Sequence, residues 1–120
     1  MSSPAKPVGP YTPVVRAGEW LIVSGQIGLA DGERVPGGLP AELRQAIANL
    51  EAQLATHGAT LKDVVKATVF LRHMSDYADM NAVYIDCFGD HRPARSAIGV
   101  AELPLGALVE VEAWAYLGQK

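Results

Sequence analysis

The chain has 120 residues, 49% of them apolar and 19% charged, with a formal net charge of −3. That composition suits one folded domain and excludes an intrinsically disordered chain. The ten Lys and Arg are scattered singly, which argues against a nucleic-acid partner, because phosphate binding needs a basic face.

Cys87 is the single cysteine, so no intrachain disulfide can form and a cytoplasmic setting is expected. No apolar run approaches the roughly 20 residues that span a bilayer. The N-terminus lacks the charged start and apolar core of a signal peptide. Residues 1–10, rich in Ser, Pro and Gly, are expected to form a flexible N-terminal arm ending at Tyr11. No repeat or linker divides residues 1–120, which read as a single domain.

Taken in chain order, Val14-Val15-Arg16-Ala17 and Trp20 to Ile27 are β-prone and flank Gly18, the pattern of a hairpin. The glycine-rich stretch 28–39, with Asp31 and Pro36, is expected to be a loop. Pro40 suits the first turn of a helix, where its missing N–H costs nothing. Leu43, Ile47, Leu50 and Leu54 fall at helical spacing, with His57 in the last turn and Gly58 stopping the helix. Val64 to Leu71 is β-branched and predicts a strand. Ser75 is a candidate cap for a second helix, with Met74 as a staple. Tyr77, Met80, Tyr84, Cys87 and Phe88 line one side of that helix, and Gly89 ends it. Two strands follow, near Ser96–Val100 and Leu108–Leu117. The order is β-β-α-β-α-β-β, which implies a sheet with both helices on one face.

Alternation along the last strand places Val109, Val111, Ala113 and Ala115 on the helix side. Glu110, Glu112, Trp114 and Tyr116 fall on the other. The second strand has a similar far side, read as Trp20, Ile22, Ser24 and Gln26. Large apolar groups on such a face usually mark a partner surface, so a closed homo-oligomer with packed sheets is expected.

The chemistry concentrates near the C-terminus. Arg95 follows Pro93-Ala94, and Glu110 and Glu112 lie on the last strand. Guanidinium grips a carboxylate through two parallel hydrogen bonds, and a glutamate can hold or activate water. Together they suggest hydrolysis of a small organic acid. From the residues alone, Arg95 could equally form an internal ion pair with Glu110 or Glu112. Glu112, about 7 Å from Glu110 along a strand, could raise its proton affinity or pair with an arginine. Cys87 reads as a core residue. His57, His73 and His91 lack partners at metal-ligand spacing, so no metal is expected.

Gly9-Pro10-Tyr11, Ser24-Gly25-Gln26, Asn81-x-x-Tyr84, Pro93-Ala94-Arg95-Ser96, Leu103-Pro104 and Val109-Glu110-Val111-Glu112 form an ordered set. Over residues 9–117 that set resembles the Rid family, the reactive intermediate deaminases of the YjgF or endoribonuclease L-PSP-like group. The resemblance implies an α+β, chorismate-mutase-like fold: a mixed ββαβαββ sheet with two helices on one face, assembled as a homotrimer with clefts between subunits. It implies hydrolysis of enamine and imine intermediates of the 2-aminoacrylate type to 2-keto acids and ammonia, with no cofactor.

Position by position, Arg95 would hold the substrate carboxylate and Glu110 would position or activate water. Tyr11, Ser24 and Asn81 would line the cleft, and backbone groups of Gly25 and Ala97 would complete the grip. Two departures bear on substrate range: Ala97 stands where many members carry Cys, and the 89–92 loop is shorter. The rival readings are a protein that binds a small carboxylate or keto acid without turnover, and a ribonuclease or translation inhibitor.

Overall fold

The computed structural model describes residue 4 and residues 6–118, so most of residues 1–5 of the expected N-terminal arm lie outside the described residues. Seven strands and two α-helices follow in chain order: β1 (Val14–Ala17), β2 (Trp20–Ile27), β3 (Leu29–Ala30), β4 (Glu33–Arg34), α1 (Gly38–Ala55), β5 (Val64–Leu71), α2 (Tyr77–Phe88), β6 (Ala94–Gly99) and β7 (Val109–Tyr116). The main sheet runs β1-β2-β7-β5-β6. It is mixed, because β6 lies parallel to β5 and the other pairs are antiparallel. The parallel pair is joined through α2, as a crossover requires.

Both helices cover the same face of this sheet. Leu43, Ile47, Leu50 and Leu54 of α1 and Met80, Val83, Tyr84 and Phe88 of α2 are buried there. They meet Leu21 and Val23, Val64, Ala67, Val69 and Leu71, and Val109, Val111, Ala113 and Ala115. The helical and two-residue periods of the sequence thus converge on one core. The opposite face stays uncovered within the chain: Trp20 packs against Trp114 and Tyr116 at ring-centroid distances of 6.0 and 4.9 Å. Trp114 is nevertheless 45% exposed.

Several local expectations are corrected. The 28–39 segment is not all loop, since β3 and β4 pair across Asp31-Gly32, with φ of 54° and 81°. Two positive φ angles are what a tight two-residue hairpin turn demands. Gln26 does not face outward with Ser24. The register of β2 against β7 slips by one residue between Val23 and Gln26. The bulge turns Gln26 inward, opposite Val111, and sends Ile27 to the outer side opposite Glu110.

Ser75 caps no helix; it sits inside a 3-10 turn over Met74–Asp76, and α2 starts at Tyr77 with no side-chain cap. His57 lies beyond the end of α1, in a turn closed by Ala59 N–H donating to Leu54 O (3.0 Å) with Gly58 at φ 74°. Arg95 lies inside β6, which begins at Ala94, two residues before the strand start expected at Ser96.

Candidate functional site

The bulge in β2 builds one half of the site. Ser24 is pinned on both sides: its N–H donates to Pro13 O (2.9 Å) and its hydroxyl donates to Thr12 O (2.7 Å). This ties the segment after Tyr11 to the end of β2. Tyr11 itself closes back on Gly9 through its N–H (2.9 Å), and its hydroxyl accepts the Val8 N–H (3.4 Å). From the neighbouring β7, the Glu110 side chain lies directly over Gly25. A Cβ at residue 25 would come within 2.6 Å of the Glu110 carboxyl. Only glycine leaves room for the carboxylate there.

Val8, Tyr11, Ser24, Gly25, Ile27, Pro104 and Glu110 enclose a cleft of about 190 Å3. Inside it Glu110 is half-buried, and its carboxyl is pushed above the usual carboxylate range, first by desolvation and then by the nearby charge of Glu112. Both influences favour the protonated form, so this glutamate holds protons more readily than a surface carboxylate does. Of the two options open for Glu112, repulsion of Glu110 operates, and no arginine pairs with Glu112 among the described residues.

Arg95 occupies a different neighbourhood. In β6 it pairs with Ala67 of β5, a residue buried under the helices, so the guanidinium projects on the helix side at the sheet edge. There its Cζ stands 4.8 Å from the centre of the Tyr84 ring and 5.8 Å from that of Tyr77. Nη2 donates to the Tyr77 hydroxyl (3.2 Å), and Nη1 approaches Met80 Sδ (3.7 Å). Rings on one side hold the cation flat while leaving its charge unneutralised. Among the described residues no carboxylate lies within ion-pair distance of Arg95. The internal link to Glu110 or Glu112 is therefore excluded, for the further reason that both glutamates occupy the uncovered face of the sheet.

The sequence-derived residues thus fall into two groups. Tyr11, Ser24, Gly25 and Glu110 come together in one cleft. Arg95 and Ala97 share the helix side of β6, and half-buried Asn81 lies on α2 next to Met80, which touches the arginine. One chain does not unite the groups. Tyr77, Met80 and Tyr84, expected to line one side of α2, do so and also cradle Arg95, Met80 being buried in the core as well; their spacing at i, i+3 and i+7 was the available signal. Val8 and Ile27 entered the cleft lining without any mark of their own, whereas Pro104 belongs to the Leu103-Pro104 piece of the ordered motif set. Among the described residues no cluster of His, Cys, Asp and Glu is arranged to hold a metal ion, and no helix is long and apolar enough to cross a membrane.

Comparison with known proteins gives a consistent picture. The family model for Endoribonuclease L-PSP matches residues 1–117. A RutC family protein of Pyrococcus horikoshii is 44% identical, the match covering 92% of this chain and 90% of that protein. The 2-iminobutanoate/2-iminopropanoate deaminase of Mus musculus is 42% identical over 92% of this chain and 84% of its own length. Among solved structures, TdcF of E. coli with bound serine superimposes with a TM-score of 0.89 at 33% identity, covering 97% of this chain and 94% of that one.

Proposed function

We propose that this chain, which belongs to the endoribonuclease L-PSP family, the YjgF/Rid group, is a hydrolytic deaminase of small 2-imino and 2-enamino acids. Its products are the 2-keto acid and ammonia. The observation that carries this reading is an arginine whose charge lacks a carboxylate among the described residues, while a proton-retaining glutamate waits in a separate glycine-floored cleft. An anion recognised by a planar fork and a water recognised by a carboxylate are the two things that imine hydrolysis of an acid needs. Relatives named as 2-iminobutanoate/2-iminopropanoate deaminases support the substrate class.

Arg95 and Glu110 project from opposite faces of one sheet, so a working site takes the arginine of one protomer and the glutamate cleft of another. A homotrimer with three such clefts satisfies this, and the exposed Trp20 and Trp114, with half-buried Tyr116 packed against Trp20, supply apolar area for the contact. In the site, Arg95 holds the substrate carboxylate through two hydrogen bonds. Asn81 and the backbone of Ala97 border it on the same side. Tyr11, Ser24 and the backbone of Gly25 close the opposite wall.

Glu110 orients a water and takes its proton as the oxygen adds to the carbon of the protonated imine. The protonated Glu110 then returns that proton to the carbinolamine nitrogen, the C–N bond breaks with its electrons leaving on ammonia, and the hydroxyl gives its proton back to the carboxylate as the C=O forms. This is acid–base chemistry, worth about 10²–10⁴-fold for positioned proton transfer, and it calls for no cofactor.

The test couples a pyridoxal-phosphate dehydratase, which releases the imine, to this protein and follows the rate of keto-acid formation. Wild type accelerates it. Arg95→Ala abolishes the acceleration, and Arg95→Lys fares nearly as badly because an ammonium cannot form the planar fork. An Arg95→Ala protein as active as wild type refutes the assignment. Saturable keto-acid binding by wild type without any acceleration would instead establish the binding-only alternative.

A further inference from the structure

Behind the cleft, outside the residues assigned above, lies a second charged pair. Glu42 on α1 is only 3% exposed, yet both its oxygens are engaged. Oε1 accepts the Leu108 N–H at 3.0 Å, and Oε2 lies 3.5 Å from Arg34 Nη1 at the end of β4. The same Arg34 nitrogen also donates to the Gly106 carbonyl. Around them the packing is tight: a Cβ on Gly28, between β2 and β3, would stand 2.5 Å from the Glu42 carbonyl oxygen, so the chain there meets α1 with no space for a side chain. One arginine and one glutamate therefore tie three pieces together, namely the β3–β4 hairpin, α1 and the segment 104–108.

That segment carries Pro104, a wall of the cleft, and runs straight into Glu110 two residues after Leu108. It is also the least regular backbone nearby. Leu105 has φ 57° and is 58% exposed, and Gly106 has φ 71°. A left-handed, non-glycine residue at the surface does not hold a segment in place by its own preference. The buried carboxylate grips the segment at Leu108 and the arginine grips it at Gly106. Removing either partner leaves a buried charge or a backbone donor unsatisfied.

We infer that Arg34 and Glu42 are positioning residues that clamp the 104–108 segment and so set the position of Glu110 and Pro104 in the cleft. The inference rests on the deaminase reading for its catalytic consequence only; the clamp itself is a property of the fold. Neither side chain touches substrate. Because Arg95 contacts Tyr77, Met80 and Tyr84 and makes no contact with the clamp, loosening it acts on water delivery and not on the grip on the carboxylate.

Two variants test this. Arg34→Met keeps a long, partly exposed side chain without the charge. Glu42→Gln keeps an acceptor for Leu108 N–H while losing the ion pair, and serves as a check should Arg34→Met fold poorly. In the coupled assay each variant is expected to lose about tenfold or more in kcat, since small displacements of a reacting group have effects of that size or larger. KM should stay within about twofold of wild type, because uniform binding is unaltered.

Independently of activity, hydrogen exchange at residues 105–110 should accelerate about tenfold or more in both variants while that of β5 stays slow, the sign of local loosening. Wild-type kcat in both variants overturns the catalytic role, as does a loss of kcat that only tracks the unfolded fraction. Unchanged exchange over 105–110 overturns the clamp. Should wild type itself fail to hydrolyse imines, the deaminase reading falls and the exchange result alone decides on the clamp.

Discussion

At the scale of single residues, the informative quantity is the proton affinity of Glu110. Burial and Glu112 both raise it. A base must be ionised to take a proton from water, so kcat/KM is expected to climb with pH through a limb lying above the ordinary carboxylate range. Glu112→Gln removes the smaller of the two influences and should shift that limb to lower pH without removing it, which a pH–rate profile measures directly. A limb that does not move would show that Glu112 exerts no field at the reacting carboxyl. The same shift has a thermodynamic side. The folded state binds this proton more tightly than the unfolded chain, so the group favours folding when protonated and opposes it once ionised. Stability then falls as pH rises from the unfolded carboxylate pKa through the folded one. Glu110→Gln should accordingly melt higher than wild type at neutral pH while turning over more slowly, a trade of activity for stability. Calorimetry at neutral pH reads the first effect, and the coupled assay reads the second.

At the scale of elements, the β2 bulge matters most. It reverses the alternation of the strand, puts Gly25 beneath Glu110 and turns Gln26 into the core. Asn49 of α1 braces the strand just beyond it, donating to the carbonyls of Ile27 (2.9 Å) and Leu29 (3.0 Å). Gly25→Ala is expected to push the Glu110 carboxyl aside, because the added methyl would sit 2.6 Å from it. The protein should fold and lose about 10²-fold in kcat, the scale of effect that follows misplacement of a catalytic group by about an ångström. A Gly25→Ala enzyme at wild-type kcat would show that Glu110 need not occupy this floor. The bulge also marks where the sequence stopped being informative. Long elements were legible: α1 shows its core at Leu43, Ile47, Leu50 and Leu54, and β7 alternates cleanly from Val109 to Ala115. β3 and β4 were not, since two residues each carry no period, although Asp31-Gly32 is a recognised hairpin signal. Gln26 was misplaced because a one-residue slip inverts every later side chain; Gly25 inside the strand was the one available sign of a bulge, but it does not fix where the register slips.

At the scale of the whole molecule, the residues proposed for the site were legible as an ordered motif set, but their partition between two faces of the sheet was not. Whether Arg95 and Glu110 share a face depends on β6 entering the sheet beside β5, parallel and at the edge, a non-local fact that no spacing encodes. The partition makes a sharp prediction about mixtures. Chains carrying Arg95→Ala and chains carrying Glu110→Gln, the first inactive and the second slowed when alone, should together exceed the activity of either when unfolded and refolded as a mixture. With random mixing in a cyclic oligomer, about one cleft in four receives an intact arginine from one chain and an intact glutamate from its neighbour. Absence of any recovery, in assemblies shown by light scattering to be mixed, would place both groups within one protomer's site.

With the site shared between two protomers, as proposed, the opposed orientation of those two side chains also sets a concentration scale for activity. A monomer can keep its fold and still be half a catalyst, so specific activity should fade on dilution through the dissociation constant of the assembly, with no accompanying loss of helix signal in circular dichroism. Abundance in the cell would then govern rate more steeply than in proportion, since each newly made chain both joins a cleft and completes one for another.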